Sequence, residues 1–185
     1  MKTLKTERLV LRPWKLSDAS SLYQYAKDER VGSIAGWPVH KSVEESAEII
    51  RAIFMRDEVY AVTLINDDQA IGLVGLSFAN ESNFPIGDND AEVSYWIGVP
   101  FWGKGLIPEA VKEISRHSFE TLELDNLWCG YFADNERSQK AQEKCGFKFH
   151  HVIEEQYAEF LDEVKVENIC RLTKDEWVEI QKQTD

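Results

Sequence analysis

The residues most able to do chemistry begin at "VPFWGKGLIPEAV" (99–111), where Gly103, Lys104 and Gly105 stand directly before an apolar helical pattern. The first-turn amides of a helix have no internal partner and lie at the positive end of its dipole. Glycine lets an anion approach those amides without a Cβ in the way, so the chemistry suggested is phosphate binding. A Walker loop fails because Leu106 occupies the place of the Ser or Thr that should follow the lysine, and a GxGxxG dinucleotide fingerprint fails at Pro108. Two readings remain open at this point. One is a loop for the pyrophosphate of an acyl-CoA; the other is a plain turn, with one glycine for positive φ and one for clearance.

A second constellation lies some thirty residues on, in "NERSQKAQEKCGF" (135–147). Asn135 stands three residues before Ser138, the spacing of a helix N-cap as well as of a ligand contact. Arg137, Lys140 and Lys144 make either a local basic patch or a solvated helix face. Upstream, "AEVSYW" places Glu92, Ser94 and Trp96 on one face of a strand. A strand carboxylate is costly to bury without a partner, so Glu92 serves chemistry, satisfies a loop or pairs with an arginine. The four histidines show no spacing that suggests a metal site, and His150 and His151, adjacent on a strand, face opposite sides.

These residues sit in a chain of 185 residues, a length that suggests one domain over 1–185. Hydrophobic content is 43% with six Trp, six Tyr and nine Phe, which suits a globular core. The net charge of −12 opposes nucleic acid and anionic lipid and attracts cations. A phosphate-bearing ligand must therefore be held locally, against the overall field. No apolar run is long enough for a membrane helix, and the charged start "MKTLKTERLVLRPW" is unlike a signal peptide. Three widely spaced cysteines, Cys129, Cys145 and Cys170, favour a reducing cytoplasm and argue against structural zinc.

The elements that must position the site follow from periodicity. Alternation from Glu7 to Arg12 predicts a strand ended by Pro13, and Ser17 is placed to cap a helix carrying Leu22, Tyr25 and Ala26. Residues 29–41, with two glycines and a proline, read as a loop. Ser42 and Glu45 form a capping box before Val43, Ala47, Ile50 and Phe54. Residues 59–65 and 70–78 read as a hairpin, 80–90 as a loop and 91–99 as a strand. A helix of about 14 residues follows the glycines. Then come a strand at 126–132, a short helix at 135–147 stopped by Gly146, a closing strand pair, and a helix from a capping box at Thr173 to about Gln181. The order predicts a mixed α/β domain rich in hairpins rather than a doubly wound sheet.

Taken together, "TERLVLRPW", "AEVSYWIGVPFWGKGLIPEA" and "NERSQKAQEKCGF" resemble the GNAT superfamily of acyl-CoA N-acyltransferases, and within it the RimJ/RimL type. The resemblance spans nearly the whole chain. It implies an α+β fold with a mostly antiparallel central sheet, splayed at the acyl-CoA site and flanked by helices. It implies that Ile97, Gly98 and Val99 offer main-chain hydrogen bonds to a pantetheine arm, with Gly98 at a bulge. Trp102, Gly103, Lys104, Gly105 and Leu106 would wrap the pyrophosphate, helped by Lys144 in the basic patch. Asn135 would contact the pantetheine or support its loop. Glu92 would be the base, directly or through water, and a backbone N–H near Val99 would receive the developing oxyanion.

Two positions depart from the family pattern. Pro100 replaces the Gln or Arg that usually opens the glycine loop, and Gln142 replaces a tyrosine that many members use to protonate the leaving thiolate. Ser138 becomes the candidate donor in its place. The implied reaction is direct attack by an amine on acetyl-CoA, with no metal. The acceptor would be a protein N-terminus, a polyamine or an aminoglycoside-like cation; Glu154, Glu155 and Glu159 either draw it in or form a solvated surface, and Trp37 and His40 either meet it from a loop or pack. The chain would act as a monomer or homodimer in the cytoplasm, without nucleic acid or membrane. The alternative is a catalytically weak module that binds acyl-CoA for regulation.

Overall fold

A computed structural model describes residues 2–158 and 161–184. Eight strands form one sheet: β1 (Leu4–Lys5), β2 (Leu9–Pro13), β3 (Val59–Leu64), β4 (Asp67–Phe78), β5 (Asp90–Ile97), β6 (Asn126–Phe132), β7 (Lys148–Ala158) and β8 (Glu163–Thr173). Their order is β1-β2-β3-β4-β5-β6-β8-β7, and every pairing is antiparallel except β5 with β6. The helices are α1 (Ala19–Ala26), α2 (Glu29–Ala35), α3 (Val43–Ile49), α4 (Leu106–Glu120), α5 (Glu136–Lys144) and α6 (Lys174–Thr184). This is the mixed, mostly antiparallel sheet flanked by helices that the sequence predicts.

The core lies on both sides of the central strands. In β3, every residue from Val59 to Thr63 is buried, so neither face of that strand meets water. Helix α4 packs on β2, β4 and β5, and α1 packs on β4 and α3. Along α4 the apolar positions Leu106, Ala110, Val111 and Ile114 recur at helical spacing and are all buried. The capping box at Thr173 forms as expected: Glu176 N donates to Thr173 Oγ1 (3.2 Å) and Thr173 N to Glu176 Oε2 (3.0 Å). At α3, Glu45 N donates to Ser42 Oγ (3.1 Å), and the Glu45 carboxylate accepts from Lys41 N.

Four sequence expectations are corrected by the fold. Ser17 caps no helix, because the chain enters α1 through a 3₁₀ turn (Leu16–Asp18) whose N-cap is Lys15. The 29–41 loop contains α2, capped by the Asp28 carboxylate accepting from Arg30 N (3.1 Å) and stopped by Gly36 at φ 83°. Gly32, which argued for a loop, is instead needed inside that helix: a Cβ there would lie 2.6 Å from Trp37 O. Gly98 makes no bulge, since β4 and β5 pair without a register shift from Phe78 opposite Ala91 to Gly72 opposite Ile97. The strand ends at Ile97 and a 3₁₀ turn (Val99–Phe101) containing Pro100 follows, because proline cannot extend the ladder.

One buried ion pair ties the sheet to the first helical turn. Arg12, 5% exposed, donates from both terminal nitrogens to the Asp18 carboxylate (2.8 Å each) and from Nε to Asp68 Oδ1 (2.5 Å). Removing one partner leaves a charge buried without compensation, which is far costlier than losing an exposed pair. Asp18→Ala is therefore expected to cost about 3 kcal/mol, read from the urea midpoint at unchanged m-value. A loss below about 1 kcal/mol would show that Asp68 and solvent compensate Arg12 alone.

Candidate active site

The site begins where β5 and β6 part. They pair only over 90–92 opposite 126–128; beyond this fork β6 continues its ladder with β8 alone. At the fork the Cys129 thiol donates to Val93 O (3.1 Å). On this side the backbone of β5 beyond Val93 has no strand partner among the described residues. A cavity of about 980 Å³ opens there. This is the expected splay, achieved on the β6 side rather than by a bulge against β4.

The glycine loop lines this cavity. Gly103 has φ 73° and Gly105 φ 74°, values at which a Cβ would be strained. A Cβ built on Gly103 meets no atom within 4 Å, so this backbone faces open space. Gly105 is the N-cap of α4, and no side chain caps the first-turn amides. Arg8 holds the loop from behind, donating to Lys104 O (3.0 Å) and Gly105 O (3.4 Å) while its Nε meets Glu109 Oε2 (2.6 Å). With the carbonyls turned toward Arg8, the amides are left for an anion. These residues fit a pyrophosphate.

Of the residues expected to hold acetyl-CoA, Ile97, Trp102, Gly103, Gly105, Leu106, Asn135, Ser138 and Lys144 line the cavity, while Gly98, Val99 and Lys104 do not. Gly98 packs where a Cβ would lie 2.5 Å from the Tyr25 ring, so its need is close approach. Val99 is half-buried against the core, and Lys104 Nζ lies over the Phe101 ring at 5.4 Å. The Ile97 carbonyl already accepts from Trp102 Nε1 (2.9 Å). Arg137 stacks over Trp102 at 4.2 Å, bridging α5 to the glycine loop.

Helix α5 supplies the opposite wall. Asn135 is its N-cap, Oδ1 accepting from Ser138 N (3.1 Å), so the capping reading holds. Ser138 is 9% exposed, and its Oγ lies 2.7 Å from Tyr95 Oη and accepts from Gln142 Nε2 (3.2 Å). Gln142 also donates to Gly130 O (3.1 Å), which makes it a brace for Ser138 rather than an acid. Burial pushes the Tyr95 phenol well above its ordinary value, against the hydrogen bonds from Ser138 and Gln142. Tyr95 thus stays protonated beside Ser138. Sequence reasoning missed it, because the face argument followed Glu92, Ser94 and Trp96; at a splayed edge, residues of either parity reach the gap.

Three carboxyls line the same cavity, Glu45, Glu92 and Glu167, and the last two are buried. Glu92, 5% exposed, accepts from Ser82 Oγ (2.9 Å), Asn83 N (2.8 Å) and Asn83 Nδ2 (3.0 Å), so it anchors the 80–90 loop to β5. Glu167 on β8, 9% exposed, was not foreseen. The signal for it was an acidic residue at the inward parity of Ile169, in "VENIC". Of the residues expected to meet the acceptor, His40 is buried and pairs with Ser46 Oγ (2.8 Å), and the Trp37 ring lies tilted against it. Burial lowers the His40 pKa. Both are cavity-lining packing residues rather than exposed loop positions. Glu154 and Glu155 are exposed on β7 away from the cavity wall, and Glu159 lies outside the described residues.

Both the sequence and the fold are shared with known proteins. Residues 8–148 match the acetyltransferase (GNAT) domain family, and the chain belongs to that family. It is 28% identical over 153 residues to the "Uncharacterized N-acetyltransferase p20" of Bacillus licheniformis, covering 80% of this chain and 83% of that protein. It is 32% identical over 84 residues to the "Putative ribosomal N-acetyltransferase YdaF" of Bacillus subtilis (strain 168), covering 45% and 43%. The fold superposes with TM-score 0.74 on the microcin C7 self-immunity acetyltransferase MccE, solved with acetyl-CoA and AMP, at 20% identity over 91% of this chain and 93% of that one.

The protein is an acyl-CoA-dependent acetyltransferase, and acetyl-CoA is its co-substrate. Among the described residues no helix is long and apolar enough to cross a membrane.

Proposed function

We propose that the chain, as a single domain over residues 1–185, transfers the acetyl group to a primary amine in the manner of the RimJ/RimL type. The acceptor is a protein N-terminus or a small cationic amine. The observation that carries this reading is the polarity of the cavity. Its lining combines a bare glycine loop and the Tyr95–Ser138 hydroxyl pair with the buried carboxyls of Glu92 and Glu167. A cavity so lined offers amides and hydroxyls to an anionic leaving group and carboxylates to a cationic nucleophile. The relative named as a ribosomal N-acetyltransferase supports the protein-terminus branch.

In this reading the amine attacks the thioester carbonyl, a C–N bond forms and the C–S bond breaks. The departing thiolate takes a proton through the Ser138–Tyr95 hydroxyl pair, which touch at 2.7 Å, and the pair recovers that proton from solvent as the product leaves, so that Tyr95 returns to its protonated form. Glu92, fixed by three hydrogen bonds, holds its charge toward the acceptor ammonium. The regulatory alternative rested on the missing tyrosine at Gln142, and the Tyr95 phenol answers that deficit from β5.

An acceptor panel tests the reading. With acetyl-CoA and a serine-initiated peptide, spermidine or kanamycin, thiol release should rise with at least one acceptor, with the acetylated amine seen by mass spectrometry. Thiol release at the same rate with and without every acceptor, and no acetylated product, would overturn it.

A further inference from the structure

Glu167 is a buried carboxyl with no hydrogen-bond partner for its side chain among the described residues, on the wall of the cavity where the chemistry takes place. Its seat is built for it. A Cβ on Gly130 would lie 2.1 Å from Glu167 Oε1 and 2.8 Å from its Cδ, so β6 leaves out a side chain where the carboxyl rests. Strand β8 fixes the residue, pairing it with Phe132 of β6 on one side and Ile153 of β7 on the other. A buried carboxyl left without hydrogen bonds is costly to maintain, and such groups cluster where they are used.

Glu92 is the contrasting case. Its oxygens already accept three hydrogen bonds from Ser82 and Asn83, which commit both of them to holding the 80–90 loop rather than to meeting a substrate. We infer that Glu167, rather than Glu92, is the general base that removes the proton from the acceptor amine. The nitrogen lone pair so freed forms the C–N bond, the proton passes to a Glu167 oxygen, and it leaves to solvent after the product. The inference rests on the amine reading above.

Burial first, and then the negative charge of Glu92, push the Glu167 carboxyl up to about 7. The titratable groups whose charge couples to it are Glu92 from β5 and the Cys129 thiol from β6, the latter held protonated by burial. A base works only when deprotonated, so activity should rise with pH through about 7. Removing the Glu92 charge lowers the Glu167 pKa and should move that rise to lower pH.

The test is the pH–rate profile with acetyl-CoA and the serine peptide, spermidine and kanamycin as acceptors, in wild type, Glu167→Gln and Glu92→Gln. Glu167→Gln should lower kcat about 100-fold, abolish the rise near neutrality, and leave acetyl-CoA affinity by calorimetry unchanged. Glu167→Asp should recover part of the rate together with the pH dependence. Glu92→Gln should keep the rise but at lower pH. A Glu167→Gln enzyme with kcat within a few-fold and the rise intact overturns the inference while the amine reading stands. So does loss of the rise in Glu92→Gln alone. A wild-type enzyme that acetylates none of the three amines overturns the amine reading and the base with it.

Discussion

Gly103→Glu is expected to abolish acetyl-CoA binding without unfolding the protein. Gly103 sits at φ 73°, and the space where its Cβ would project is empty to 4 Å. A side chain there meets no protein atom, so the penalty to the fold is confined to the left-handed backbone, about 1–2 kcal/mol. Gly103 lines the cavity two residues before the α4 N-cap, so a glutamate there sets a negative charge against a pyrophosphate held by that loop. Gly103→Ala separates the effects, carrying the same backbone strain without the charge. Acetyl-CoA at 100 times its Kd should stabilise the wild type by about 2.7 kcal/mol. The alanine variant should retain a measurable stabilisation and the glutamate variant none. Calorimetric affinity of Gly103→Glu within a few-fold of wild type would place the pyrophosphate elsewhere.

Ser138→Ala and Tyr95→Phe should each lower kcat by about 100-fold, the scale of a positioned proton donor, with little change in KM for acetyl-CoA. The two hydroxyls touch at 2.7 Å and Gln142 braces Ser138 from the other side. If they act as one relay, the double variant should be little slower than either single one, because groups working as a unit are non-additive. Additive losses would mean that the two hydroxyls act independently, and a loss in one variant alone would mean that only that group donates. Tyr95→Phe keeps the ring in place, and alanine fits wherever serine did, so a thermal midpoint near that of wild type is the control for both. Preserved turnover in Ser138→Ala would leave solvent as the proton source.

Legibility tracked how local each determinant was. The hairpin of β3 and β4, the caps at Ser42 and Thr173, and the α4 stripe depend on residues a few positions apart, and all form, although β4 starts at Asp67 inside the turn expected before residue 70. Helix α2 was obscured because Gly32 looks like a breaker, while its reason lies in the close approach of Trp37 O. The cap expected at Ser17 gave way because Asp18, drawn to Arg12 and Lys15 N, organises that turn. Pro100 proved less discordant than its type suggests: it stops β5 and forms the turn that delivers Trp102 and the glycines to the fork.

The sequence by itself determined the class of sheet, the glycine loop at a helix N-terminus and the helix carrying Ser138. Backbone conformation, capping and periodicity are written in near neighbours, and two spaced motifs are enough to join them. The tertiary structure alone decided which side chains share the cavity. Tyr95 meets Ser138 across 43 positions, and Glu167 shares the wall with Glu92 only because β6 leaves β5 at the fork to pair with β8. Desolvation and charge at a group are set by everything packed around it, and no spacing along one chain records that.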